Sequence, residues 1–348
     1  MTADSVDDGR RRFLGGALAT LAATRLSVLA PTDSPRTSAR KKVAMYPRLG
    51  PVKQIHAGVL DVGYVDAGPV TAPSVLLLHG WPYDIHSFDE VVPLLTASGH
   101  RVVVPYLRGY GSTRFLSGTT PRNGQQAALA ADTIALLDAL KIDRAVVAGF
   151  DWGARTADIV AALWPERCTG LVSVSGYLIG SQEANKAPLP PSAEVAWWYQ
   201  YYFATERGRA GYKKYRREFA KLIWQTASPK WHFGDATFDR SAAAFDNPDH
   251  VAIVVHNYRW RLGLAAGESQ YDDLERRLAA FPTIKVPTIT LEGDANGAPH
   301  PAPESYAKRF TGPYEHRLFT GGIGHNPPQE SPKEFAQAVI DVARAGSA

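Results

Sequence analysis

Gly149-Phe150-Asp151-Trp152-Gly153 is the stretch on which the reading of this chain turns. It follows the apolar run Ala145-Val146-Val147-Ala148 and precedes a helix-like stretch that begins at Ala154. A strand that bends sharply into a helix needs glycine on both sides of the bend. A side chain there would strike the following helix or the neighbouring strand. The residue at the tip is then displayed in the strand–turn–helix context of a nucleophile elbow. In this chain the tip is a carboxylate. Asp151 as a nucleophile would form an ester with an alkyl carbon, which suits an epoxide or an alkyl halide. The plainer reading, an exposed Asp that caps the next helix, uses the same spacing.

Outward from the elbow, short apolar runs alternate with helical spacing. Ile55–Val65 alternates and predicts an edge hairpin around Gly58 and Gly63. Ser74–His79, Arg101–Pro105 and Gly170–Ser175 read as buried strands like Ala145–Gly149. Ser87–Ser98 and Asn123–Leu140 have helical spacing. From Tyr177 to about Pro282 no buried strand is legible, and Ala204–Gln225 and Asp249–Leu264 read as helices. Strand character returns at Val286–Leu291 and His316–Thr320, and Ser331–Ala345 closes the chain as a helix. The expected fold is α/β, with a mainly parallel eight-stranded sheet and a helical lid inserted after the sixth strand. The core is placed at 46–176 and 283–348, the lid at 177–282, and a leader at 1–45.

The net charge of +4 belongs to that leader. Residues 1–45 hold eight of the 38 Lys/Arg and four of the 34 acids, which leaves thirty of each for the remainder. A balanced body offers no electrostatic footprint for nucleic acid. Arg10-Arg11-Arg12-Phe13-Leu14, followed by apolar Gly15–Ala23, resembles a twin-arginine export signal. The expectation is a periplasmic or extracellular protein, touching a membrane only through an uncleaved leader. Arg25 interrupts the apolar run, which is short for a membrane span. Cys168 is the only cysteine, so an intrachain disulfide is impossible.

Two more segments have addresses that fit the elbow. His79-Gly80-Trp81-Pro82 ends a strand and could offer the Trp81 N–H, opposite that of Trp152, as an oxyanion hole. Gly324-His325-Asn326 follows the last strand, where His325 could activate water. With Arg108-Gly109-Tyr110-Gly111, these motifs resemble the epoxide hydrolase and haloalkane dehalogenase branch of the α/β-hydrolase superfamily, from about residue 50 onward.

That resemblance implies an α/β-hydrolase fold and an acid that orients His325, usually three residues after the glycine that ends its strand. Asn296 stands there, so Asp294, two residues earlier, is the expected acid and Asn296 its rival. It also implies two lid tyrosines that protonate the epoxide oxygen, at Tyr199 (with Tyr201 as rival) and Tyr258. Their plainer role is the apolar face of the lid. Trp81, Trp152, Tyr201 and Arg155 complete the expected substrate contacts, and no cofactor or metal is implied. The expected substrate is a small, apolar epoxide, favoured by the Trp197–Phe203 aromatics. The alternatives are a haloalkane or haloacid dehalogenase built on the same Asp/His pair, and a ligand-binding or inactive homologue.

Overall fold

The computed structural model describes residues 49–346; the expected export leader lies outside them. Strands β1 (Lys53–Ala57) and β2 (Leu60–Ala67) form an antiparallel hairpin. Its bend is at Gly58, with a φ of 58°, whereas Gly63 sits inside β2 opposite Gln54. Then come β3 (Ser74–Leu78), helix α1 (Val91–Ala97), β4 (Arg101–Pro105) and the two-residue β5 (Arg114–Phe115). Helix α2 (Gln126–Ala139), β6 (Ala145–Gly149), α3 (Trp152–Leu163) and β7 (Cys168–Val174) complete the first half.

Between β7 and β8 (Thr288–Gly293) the described elements are all helical. The longer ones are α4 (Pro191–Ala196), α5 (Trp198–Ala204), α6 (Glu206–Ala227), α7 (Asp235–Ala242), α8 (His250–Arg261) and α9 (Asp272–Ala279). The helix expected from Ala204 begins at Glu206 because the Thr205 hydroxyl accepts from the Gly208 N–H at 2.9 Å, an N-cap. The chain ends with α10 (Pro303–Tyr306), β9 (Tyr314–Phe319), α11 (Pro327–Glu330) and α12 (Pro332–Ala345).

The sheet runs β1-β2-β4-β3-β6-β7-β8-β9, antiparallel as far as β4 and parallel beyond. The sheet has nine described strands, one more than the eight expected. The additional one, β5, pairs with Leu60 and Asp61 of β2. Its two residues have no periodicity to read, and only the path of the loop after β4 brings them to that edge. Helices α1 and α12 pack together against the sheet, as α2 and α3 do. Strands β3, β4 and β6 are thereby buried almost throughout, which is why they read as unbroken apolar runs.

The bend from β6 into α3 is as tight as its glycines suggest. A Cβ on Gly153 would lie 2.0 Å from the Leu78 carbonyl oxygen of β3. That contact is with backbone in the sheet, so side-chain movement cannot relieve it. Gly153→Ala should therefore lose about 1–3 kcal/mol, the usual range for overpacking a closed core. Urea unfolding followed by circular dichroism checks it, and a midpoint equal to that of the parent would remove the steric account.

Candidate active site

Asp151 occupies the bend at φ 54° and ψ −120°, a backbone conformation that side chains rarely adopt. Gly80 permits its approach to the loop after β3, for a Cβ on Gly80 would lie 2.5 Å from the Asp151 Cβ. The Trp81 N–H donates to Asp151 Oδ1 at 2.7 Å, and the Trp152 N–H also donates to this carboxylate. On the other side, His325 Nε2 is 3.5 Å from Oδ2. Burial would raise the Asp151 carboxyl, but His325 and the two N–H donors outweigh it and hold it below the usual range. The two oxygens are thus distinguished. Oδ1 takes the Trp81 N–H, and Oδ2 is the one beside His325.

The Trp81 loop is held by groups from distant parts of the chain. His79 Nδ1 bonds the Gly80 carbonyl at 3.0 Å, and its Nε2 accepts from the Leu107 N–H at 3.2 Å. Trp81 Nε1 donates to the Tyr212 hydroxyl of α6 at 2.9 Å. That hydroxyl meets His250 Nε2 of α8 at 2.9 Å, and His250 Nδ1 meets the Gly109 carbonyl at 2.9 Å. With Nδ1 donating, the phenol gives its proton to His250 and accepts from the indole, so each group in the chain is satisfied. Burial pushes His79 down to about 4 and His250 down to about 3, so both are neutral at physiological pH.

One cavity of about 190 Å³ opens onto Asp151, and Trp81, Arg155, Tyr199, Tyr258 and His325 also line it. The Tyr199 and Tyr258 rings are 5.3 Å apart, centroid to centroid. Burial first, and then neighbouring charges that include Asp151, raise both phenols, so both keep their protons near neutrality. Two expected contacts fall elsewhere. Tyr201 is 48% exposed and bonds Glu194, because it lies two residues from Tyr199, about 200° around α5. Trp152 is buried beneath the cavity and reaches Asp151 through its backbone, and its indole is not among the lining groups.

The pattern for the alpha/beta hydrolase fold matches residues 73–212. A crystal structure from Klebsiella pneumoniae, of a protein described as a candidate epoxide hydrolase, is 64% identical. It aligns over 85% of this chain and 98% of that one, with a TM-score of 0.85. This chain belongs to the α/β-hydrolase family. Epoxide hydrolase B of Mycobacterium tuberculosis is 36% identical over 149 residues, a match that spans 39% of this chain and only 41% of that protein's length. Epoxide hydrolase A of the same organism is 24% identical over 305 residues, which is 80% of this chain and 92% of that one.

In this α/β-hydrolase the expected acid, Asp294, does not reach the histidine. Its carboxylate accepts from the N–H groups of Gly321, Gly322 and Ile323 at 2.8–3.0 Å and so shapes the loop that carries His325. The group at His325 Nδ1 is Asn296, with Oδ1 at 3.2 Å. Its amide has one self-consistent orientation. Oδ1 also accepts from the Ala298 N–H at 2.9 Å, and Nδ2 donates to Glu292 Oε1 at 2.8 Å. A carboxylate therefore stands behind the amide, one hydrogen bond removed from the ring. Glu292 is buried at the end of β8. It is not among the residues expected from the sequence, although Glu-Gly at the end of an apolar strand is a usable signal. Glu330 completes the loop, accepting from the N–H groups of Gly324 at 2.6 Å and Asn326 at 2.9 Å.

The arrangement offers a nucleophilic carboxylate, a base and an oxyanion hole. The bond from Nδ1 to Asn296 Oδ1 turns Nε2 towards Asp151, and an imidazolium there would feel Glu292 through the amide. Glu292→Gln keeps the shape and removes the charge. It should lower kcat roughly ten- to a hundredfold with little change in KM, since general bases contribute a hundredfold or more. A rise in KM at constant kcat would make Glu292 a purely structural residue.

Proposed function

We propose that this protein opens an epoxide to a diol through an alkyl ester on Asp151. The observation that carries the reading is the pair of phenols, Tyr199 and Tyr258, that line the same cavity as the Asp151 carboxylate. Ring opening leaves an alkoxide that needs a proton, whereas halide departure does not. A dehalogenase built on the same Asp/His pair needs N–H donors aimed at the halide, and the Trp81 indole in the cavity wall is committed to the Tyr212 hydroxyl. The names of the three relatives given above agree with the epoxide reading.

In this mechanism Oδ2 attacks the epoxide carbon while Tyr199 and Tyr258 donate to the ring oxygen. One carbon–oxygen bond forms, one breaks, and a phenol proton passes to the alkoxide. The ester carbonyl is then Oδ1, already bonded by the Trp81 N–H and next to that of Trp152. Esterification also removes the charge 3.5 Å from His325 Nε2, which frees that nitrogen to take a proton from water. Water attacks Cγ, and the two N–H groups stabilise the oxyanion by about 3–4 kcal/mol per donor, as in other acyl chemistry. Collapse breaks the Cγ–Oδ2 bond, the remaining proton of the water passes to the departing alkoxide, and the proton on His325 returns through solvent to the phenolate, so that the Asp151 carboxylate is restored and the diol is released. We propose further, from the Arg10-Arg11-Arg12 leader alone, that the protein is exported by the twin-arginine route.

Without its base the enzyme should stall at the ester. Intact mass of a His325→Gln variant should show a gain equal to the whole epoxide, mapping to Asp151. A gain equal to a haloalkane less its hydrogen halide would identify a dehalogenase instead. In that variant background Tyr258→Phe should slow adduct formation by roughly a hundredfold; an unchanged rate would remove its acid role. Lysine at all three leader arginines should leave the protein in the cytoplasm on fractionation, and continued export would end the leader proposal.

A further inference from the structure

The cavity contains more positive charge than the proposed chemistry needs. Besides Asp151 and the two phenols, its walls include two guanidiniums. Arg155 comes from the first turns of α3, and Arg261 is the last residue of α8, on the helical insertion. Among the described residues neither forms an ion pair. Other shielded arginines do: Arg108 is bidentate to Asp132 at 2.6 and 2.7 Å, and Arg101 is bidentate to Asp66 at 3.0 and 3.2 Å.

The hydrogen-bonding capacity of this pair is largely unused. Arg155 donates through Nε to the Leu178 carbonyl at 2.9 Å, which fixes its direction and leaves the two terminal nitrogens free. The Arg261 guanidinium lies over the rings of Trp197, at 5.3 Å, and Tyr258, at 5.7 Å. Neither contact supplies an acceptor. Burial and then the charge of Arg261 push Arg155 down to about 10, so the two cations feel one another.

Asp151 is the only carboxylate among the cavity walls, and it cannot balance both. Its Oδ1 is held by N–H groups and its Oδ2 faces His325. More importantly, its charge disappears when the ester forms. The charge passes first to a phenol, and once that phenol is reprotonated two guanidiniums share a cavity with no anion, unless the substrate brings one. Planar, forked donors match a carboxylate better than any neutral group. Much of the remaining lining is apolar and comes from Leu178, Val195, Ala196, Trp198 and Ile223.

We infer that the substrate is an epoxide that carries a carboxylate, seated against Arg155 and Arg261, with a short apolar body along the insertion helices. This rests on the epoxide reading and replaces the apolar substrate expected from the aromatics alone. Arg261 is then the specificity-determining residue, supplied by the insertion rather than by the hydrolase core.

The test uses a 3-substituted glycidate and its primary amide, which match in size and differ in charge. The parent enzyme should favour the carboxylate by more than tenfold in kcat/KM. Arg261→Met and Arg155→Met should each move that ratio towards one. A parent that opens the amide as well as the carboxylate would overturn the inference and leave the epoxide reading standing. If neither is opened, calorimetry on Asp151→Asn separates the two ideas. Saturable binding of the glycidate that is lost with Arg261→Met would keep the carboxylate site and sink the epoxide reading, and no binding would sink both.

Discussion

The whole site depends on holding one carboxylate in a conformation it would not choose. Asp151 sits at positive φ, a strain of roughly 1–3 kcal/mol for a side-chain-bearing residue. It persists because the surroundings over-determine it. Strand β6 is locked between β3 and β7, Gly153 lies against the β3 backbone, and the Trp81 N–H reaches Oδ1. Each of these belongs to the sheet or to the loop that leaves it. The strain is therefore set against the central sheet and the loop that leaves β3, which together direct the Asp151 carboxylate.

The helical insertion does more than cover this centre. The hydrogen-bonded chain from the Trp81 indole through Tyr212 and His250 to the Gly109 carbonyl joins α6 and α8 to two loops of the sheet. The Trp81 loop and the Tyr258 phenol that faces it are thus aligned through the same helix, α8. His250 is neutral through burial, so acidification within the physiological range does not break the chain. Leaving any one member unpaired would strand a buried polar group, at a cost of about 1–3 kcal/mol.

Charge is distributed with similar economy around His325. A carboxylate directly on Nδ1 is the usual way to steady an imidazolium. In this chain an amide occupies that position and the carboxylate of Glu292 lies behind it. An aspartate at position 296 would meet Glu292 at hydrogen-bond distance, and two carboxylates that close cannot both stay ionised easily. The asparagine is consistent with its neighbour rather than a lost acid. The same reasoning from charge balance, applied to the other end of the cavity, leads from two unpaired arginines to an anionic substrate.

Much of this was legible in the sequence. The glycine-flanked Asp151, the His79-Gly80-Trp81-Pro82 loop, His325 and the order of strands are set by local spacing. A strand that ends in a loop places its first residues beside the neighbouring strand ends whatever follows. Side-chain direction inside loops and around helices was not legible in the same way. Asp294 and Asn296 are two residues apart in one loop, and only the folded path turns one towards His325 and the other towards Gly321 and Gly322. Tyr199 and Tyr201 share a helix but not a face, and the packing of α5 decided which one meets the cavity. Arg261 lies more than a hundred residues from Asp151 and became visible only when α8 folded over the sheet. Sequence by itself determined the backbone addresses, because these follow from bend chemistry and period. Tertiary structure decided which charges meet, because that depends on rotations that no local rule constrains.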